Sequence, residues 1–243
     1  MGSAITKEVE SLSIVLRGSF NPAIMSPGWL LANGLLGEAE ANQAQPEIII
    51  PDISIFTAAW LRCQVTHDQM LFSTVEPQEF ERARDVAVGV LNILEHTPVA
   101  FLGLNHEAHI VASSMDVWHR LGDALAPKDL WEPELRLPGM RSVTIEGVRP
   151  DEFAGHIQVS VQPSARVQPG IYVSYNDHYV LRTVEEQPKT RADFVDPAIA
   201  DSKTVPPSAE LIPLAIKILS EKWADSRERS EAIFLKVMSA GEK

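Results

Sequence analysis

Residues 53–75 alternate apolar and polar side chains with a period close to two, and no other feature of this 243-residue chain limits its fold so strongly. A helix cannot gather such a pattern on one side, whereas a strand does so at once. Residues 53–66 are expected to form one long strand, with Ile55, Thr57, Ala59, Leu61, Cys63 and Val65 on one side. Ser54, Phe56, Ala58, Trp60, Arg62 and Gln64 would face the other. His67-Asp68 interrupts the pattern and residues 70–75 return as a hairpin partner.

The same reasoning predicts strands over residues 12–17, 99–112 (bent near Gly103), 141–148, 156–161, 171–174 and 179–184. The last two are expected to meet at a turn, Tyr175-Asn176-Asp177-His178, because Asn and Asp tolerate positive φ. The clearest helix is 77–95, opened by Pro77 and striped by Phe80, Ala83, Val86, Ala87, Val90, Leu91 and Leu94. Shorter helices are predicted at 25–36, entered through Ser26-Pro27, and at 115–125, capped by Ser113 or Ser114. Residues 208–240 carry two apolar stripes around a polar centre, 225–231, which would project into solvent or break the helix.

Helices placed singly between groups of strands predict an α+β fold: an antiparallel or mixed sheet, helices mainly on one face, and a C-terminal helix. The hairpin–helix–strand unit over 53–112 suggests ferredoxin-like building blocks. The expected organisation is a sheet domain over 1–184, with related halves 1–112 and 113–184. An extended linker, 185–207, and a helical segment, 208–243, would follow.

Composition narrows the function. A formal net charge of −12 argues against broad nucleic-acid or anionic-membrane binding, both of which need clustered Lys and Arg. A single cysteine, Cys63, excludes an intrachain disulfide and a Cys-rich zinc site. The first residues lack a basic start and an apolar core, and no run reaches the ~18 apolar residues of a membrane span. The expectation is a cytoplasmic protein. No P-loop, GxGxxG, GxSxG or kinase signature occurs.

Four places could carry chemistry. Asn105-His106-Glu107-Ala108-His109 sets two imidazoles around a carboxylate, but on a strand His106 and His109 point to opposite faces and the HExxH spacing is missing, so no metal is expected. His119, with Asp116 or Glu107, offers an acid/base pair. Tyr175, Asn176, His178 and Tyr179 would make an aromatic, polar hairpin tip suited to anchoring a ligand or partner. Trp29, after the turn at 17–22, and the pair Trp60 and Arg62, on one strand side, are further candidate contact residues.

Two stretches carry a resemblance. The first holds Trp60-Leu61-Arg62 and Phe72-Ser73-Thr74; the second runs through a helix ending in His96-Thr97-Pro98 into Gly103-Leu104-Asn105. Together they resemble an uncharacterised, sporadically distributed bacterial family, and the helix bearing Ile233-Phe234 is compatible with it. The resemblance covers about half the chain and implies no activity. Its sporadic distribution implies an accessory locus, including the kind that resists phage. The expected function is therefore a non-enzymatic interaction or assembly protein, a homo-oligomer or one component of a bacterial accessory system, with no cofactor. The alternatives are an enzyme using His106, His109 or His119, and a sensor of a small ligand or peptide.

Overall fold

A computed structural model of the chain describes residues 5–183 and 206–241. Nine strands form one sheet: β1 (Ile5–Gly18), β2 (Gln45–Ile50), β3 (Ile53–Ala58), β4 (Leu61–Thr66), β5 (Gln69–Thr74), β6 (Val99–Ala112), β7 (Val143–Val148), β8 (Phe153–Pro163) and β9 (Gly170–Thr183). Their spatial order is β2-β3-β4-β5-β1-β6-β9-β8-β7, and every neighbouring pair is antiparallel. Among the described residues the α-helices are α1 (Pro27–Ala32), α2 (Glu38–Asn42), α3 (Phe80–Ile93), α4 (Met115–Leu125), α5 (Ile212–Glu221) and α6 (Trp223–Ala240). The fold class is α+β, as the pattern of elements predicts. The long central strands β1 and β6 join two meanders, β2–β5 on one flank and β7–β9 on the other.

Alternation decides which side of the sheet is covered. Leu12, Ile14 and Leu16 of β1, Leu102 and Leu104 of β6, and Tyr175 and Tyr179 of β9 all lie buried on one face. Beneath α3 and α5 this face forms an apolar core, closed by Phe80, Ala83, Val86, Val90, Ile218 and Leu219. Each such side chain contributes about 1.5–3 kcal/mol on burial. A second cluster lies under α4 and α6, with Val117 and Leu121 from α4 and Phe234 and Val237 from α6. The opposite face is polar, with Ser11, Ser13, Asn105, Glu107, Tyr172, Ser174 and Asn176 in adjacent register.

Several expectations need correction. Residues 53–66 form a hairpin rather than one strand: Ala58 pairs with Leu61 across the two-residue turn Ala59-Trp60, with Ala59 at φ 51°. Paired residues share a face, so the turn inverts the parity of the pattern. Ser54, Phe56 and Ala58 therefore point the same way as Leu61, Cys63 and Val65, and all six are buried. Tyr175–His178 is likewise not a turn; β9 runs through it, so three strands follow α4 instead of four. Gly103 keeps regular register on both sides, and the irregularities of β1 against β6 fall at Lys7/Val9 and Arg17/Gly18.

At the C-terminal end of the described chain, the break falls at Lys222, between α5 and α6, and the polar centre 225–231 lies on the sheet instead of in solvent. The helical segment is thus part of the sheet's cover. The linker expected over 185–207 lies outside the described residues apart from 206 and 207.

Candidate functional site

Two clusters of charge lie between α6 and the sheet, the first closed over Asp177 and the second partly open to solvent. The first centres on Asp177, which β9 directs inward and which is fully buried. Arg149, beyond the end of β7, donates to Asp177 Oδ1 and to both carboxylate oxygens of Asp151 (3.0 and 2.6 Å). Its guanidinium lies 3.4 Å from the centre of the Tyr179 ring. From α6, the Ser226 hydroxyl donates to Asp177 Oδ2 at 2.6 Å and Arg229 donates at 3.2 Å. Two arginines thus face two aspartates. Burial alone would lower the Arg149 pKa, but its bonds to Asp151 and the charge of Asp177 outweigh that and raise it. Burial, with Asp177 close by, pushes the Tyr175 hydroxyl up to about 12 and that of Tyr179 higher still. Both phenols stay protonated in the physiological range.

The second cluster lies beside it. His106, on β6, stands 3.1 Å from Glu10 of β1 through Nε2 and 2.8 Å from Ser230 of α6 through Nδ1. Ser230 Oγ also donates to the Arg227 carbonyl at 2.8 Å. The hydroxyl has one proton for these two acceptors, so the His106 tautomer and the Ser230 rotor are coupled. The Lys7 ammonium sits 2.8 Å from Glu10 and 2.9 Å from Glu231, and Arg227 Nη1 is 3.1 Å from His106 Nε2. Burial lowers the His106 pKa, and the hydrogen bond from His106 is the largest influence holding the Glu10 carboxyl down to about 2.

Donor atoms of Glu10, His106 and Glu231 lie within 4.8 Å of one another. They do not fit a metal ion, because Lys7 already bridges the two carboxylates and two cations balance two anions without one. The space next to this cluster is about 10 Å³, hardly room for one water. Every charged group in both clusters has a partner of opposite charge, and the pairs made by α6 tie that helix to the sheet.

The histidines do not converge. His106 faces α6; His109, on the opposite face, bonds Ser164 Oγ at 2.8 Å; and His119 lies on the exposed side of α4. The Ser164 hydroxyl oxygen also accepts from the Arg166 and Val167 amides, which locks it into a loop turn. Cys63 is fully buried, and burial raises its thiol pKa.

The expected contact residues scatter too. Tyr175 and Tyr179 are core, and Asn176 and His178 lie on the polar face of β9. Trp29 packs on the first core cluster. Trp60 is buried in the hairpin turn, its indole N–H donating to Glu40 at 2.7 Å beneath the Arg82 guanidinium. Arg62 pairs with Glu47 on the opposite face, so it does not share a side with Trp60.

Sequence reasoning missed a concentration of exposed apolar side chains along residues 115–145. Met115, Leu130, Trp131, Leu135, Leu137 and Ile145 are all at least half exposed, and Leu137 reaches 86%. Beside Leu137 opens a cavity of about 190 Å³, walled by Trp118, Met140, Pro163 and Ile171 together with the polar side chains of His119, Asp123 and Lys128. The Trp118 indole N–H is engaged by the Gly170 carbonyl at 2.9 Å, so the ring presents apolar surface. The signal in sequence was the Leu130-Trp131 pair in an otherwise loop-like stretch. Met115 stands at the first helical position of α4, where an amphipathic reading expects a polar residue.

No protein-family model, curated protein or solved structure matches this chain. No described helix is long and apolar enough to cross a membrane.

Proposed function

We propose that this is a non-enzymatic assembly protein that works by binding another polypeptide, as a homo-oligomer or as one component of a cytoplasmic bacterial accessory system. The observation that carries this reading is the concentration of exposed apolar side chains along α4, the following loop and β7. Of twelve large hydrophobic side chains exposed in the described structure, six fall between Met115 and Ile145. Exposed apolar side chains that adjoin mark association surfaces, whereas scattered ones need no explanation, and this reading takes the six to adjoin. The proposed setting, an accessory locus of the phage-resistance kind, rests only on the resemblance carried by the Trp60–Arg62, Phe72–Thr74 and Gly103–Asn105 stretches.

Size-exclusion chromatography with light scattering at micromolar concentration tests the function. The expected mass is at least twice that of the 26.8 kDa chain, or that of a complex with a co-eluting host protein. A strict monomer, both purified and in host extract, would overturn it.

A further inference from the structure

The cavity beside α4 combines a glycine, a tryptophan ring and a carboxylate, and each of the three limits what it can take. Trp118 and Gly122 stand one turn apart on α4, as do His119 and Asp123, so the helix brings both pairs to the cavity. Gly122 is not at positive φ, and a Cβ there would meet Met140 Cβ at 3.8 Å, an ordinary contact. Neither backbone nor packing therefore requires glycine, which is among the costliest residues inside a helix. What its missing side chain supplies is room. A dry cavity of about 150 Å³ takes up benzene, so the 190 Å³ here accommodate one aromatic ring with a short substituent. The Trp118 N–H is already spent on the Gly170 carbonyl, so the Trp118 and Met140 walls offer ring stacking and a polarisable thioether.

The polar rim defines the other end of the ligand. Lys128 Nζ donates to the Gly122 carbonyl at 3.1 Å and to the Ala126 carbonyl, and it stands 3.3 Å from Asp123 Oδ1. These three partners occupy the three N–H groups of the ammonium, so Lys128 caps the end of α4 and offers a ligand no donor. Asp123 keeps its second oxygen outside that contact, on a side chain that is 60% exposed. The charged group left free at the rim is thus an acceptor, which selects a cationic donor. The net charge of −12 draws such a ligand in and repels an anion.

We infer that this cavity binds a small aromatic amine, with its ring between Trp118 and Met140 and its ammonium on Asp123. The site lies within one chain, so the inference does not rest on the assembly reading and holds for a monomer as well as for an oligomer.

Isothermal titration of the full chain with phenethylamine tests it. Hydrocinnamate serves as a similar ring with the opposite charge, and butylamine as the same charge without a ring. Expected is saturable one-to-one binding of phenethylamine, at least tenfold tighter than either control, with the methyl resonance of Met140 shifting on saturation. Gly122→Leu, which puts a side chain into the cavity, should weaken binding at least tenfold without lowering the thermal midpoint. Asp123→Asn keeps the shape of the rim; it should weaken phenethylamine at least tenfold and change the neutral phenethyl alcohol less than twofold. No binding of phenethylamine at millimolar concentration overturns the site. Equal affinity for hydrocinnamate, or an Asp123→Asn variant that binds phenethylamine like the parent, overturns the role of the carboxylate and with it the ligand class. Binding that leaves the Met140 methyl unmoved overturns the cavity as its place. None of these results depends on the mass of the protein in solution, so failure here and failure of the assembly reading are told apart.

Discussion

The two flanks of the sheet bury the same kind of surface by different chemistry. Under α3 and α5 the covered face is aliphatic and aromatic, and its stripe on α3 is the one visible in the sequence. Under α6 the stripe runs Trp223, Ser226, Ser230, Phe234, Val237, with two serines in its middle facing Asp177 and His106. The aliphatic flank gains stability from area and tolerates small slips of packing. The charged flank gains little net energy from its ion pairs, because desolvation consumes most of the Coulomb attraction, but it permits only one placement of α6. One flank supplies adhesion and the other supplies position.

The largest test of that contrast is Asp177→Ala, which removes the buried carboxylate shared by Arg149 and Arg229 and leaves Arg149 only Asp151 in a site where its own side chain is fully buried. Chemical denaturation should show a loss of about 3–5 kcal/mol. Pairing it with Arg149→Met should recover much of that loss; equal losses in the single and double variants would mean that the ion pair is not the unit holding this flank. On the aliphatic flank, Leu219→Ala should cost about 3 kcal/mol through lost transfer energy and the cavity left behind. That cost should be the same at pH 7 and pH 5, since only apolar groups surround the site.

Acid should separate the flanks further. His106 has a folded pKa below its ordinary 6.5, so the unfolded chain takes up its proton first and stability falls as pH drops below about 6.5. Glu10, lowered from 4.5 to about 2, adds stability that is complete above 4.5 and disappears as pH falls toward 2. Allowing for its partial exposure, that second loss is about 1–2 kcal/mol. His106→Gln should flatten the upper part of the stability–pH curve and Glu10→Gln the lower. Unchanged curves in both variants would remove this cluster as the source of acid sensitivity. The smallest effect is expected at Ala59, whose positive φ favours glycine: Ala59→Gly should raise stability by about 0.5–1 kcal/mol, read from the thermal midpoint.

The aliphatic flank was largely legible from the sequence, and the charged flank was not. Period-two and period-three-to-four patterns recovered most strands, the α3 stripe, and the caps Ser26 and Ser114, which do accept from the Trp29 and Val117 amides. Two turns were misplaced for one reason: turn propensity is local, while pairing is decided by neighbours far along the chain. Asn176-Asp177 has the composition of a turn, yet β6 and β8 hold it extended from either side. Ala59-Trp60 has no turn signature, yet it turns, because the inverted parity puts Phe56 and Cys63 in the same core. Polar residues in mid-helix read as solvent-facing, and only the buried partners Asp177 and His106 show why Ser226 and Ser230 point inward. Arg149 gave no signal at all; an arginine becomes a core residue only through carboxylates brought to it by other strands.

β1 is made before either of the strands that pair with it, and both of its edges are occupied in the finished sheet, by β5 on one side and β6 on the other. Its partners begin about fifty and eighty residues after its own last residue, so the nascent strand stays unzippered while most of the first flank emerges. Long-range pairing of this kind makes folding slow and leaves a sticky ribbon open to strangers. For this chain, the hazardous interval on the ribosome closes only when β6 is complete.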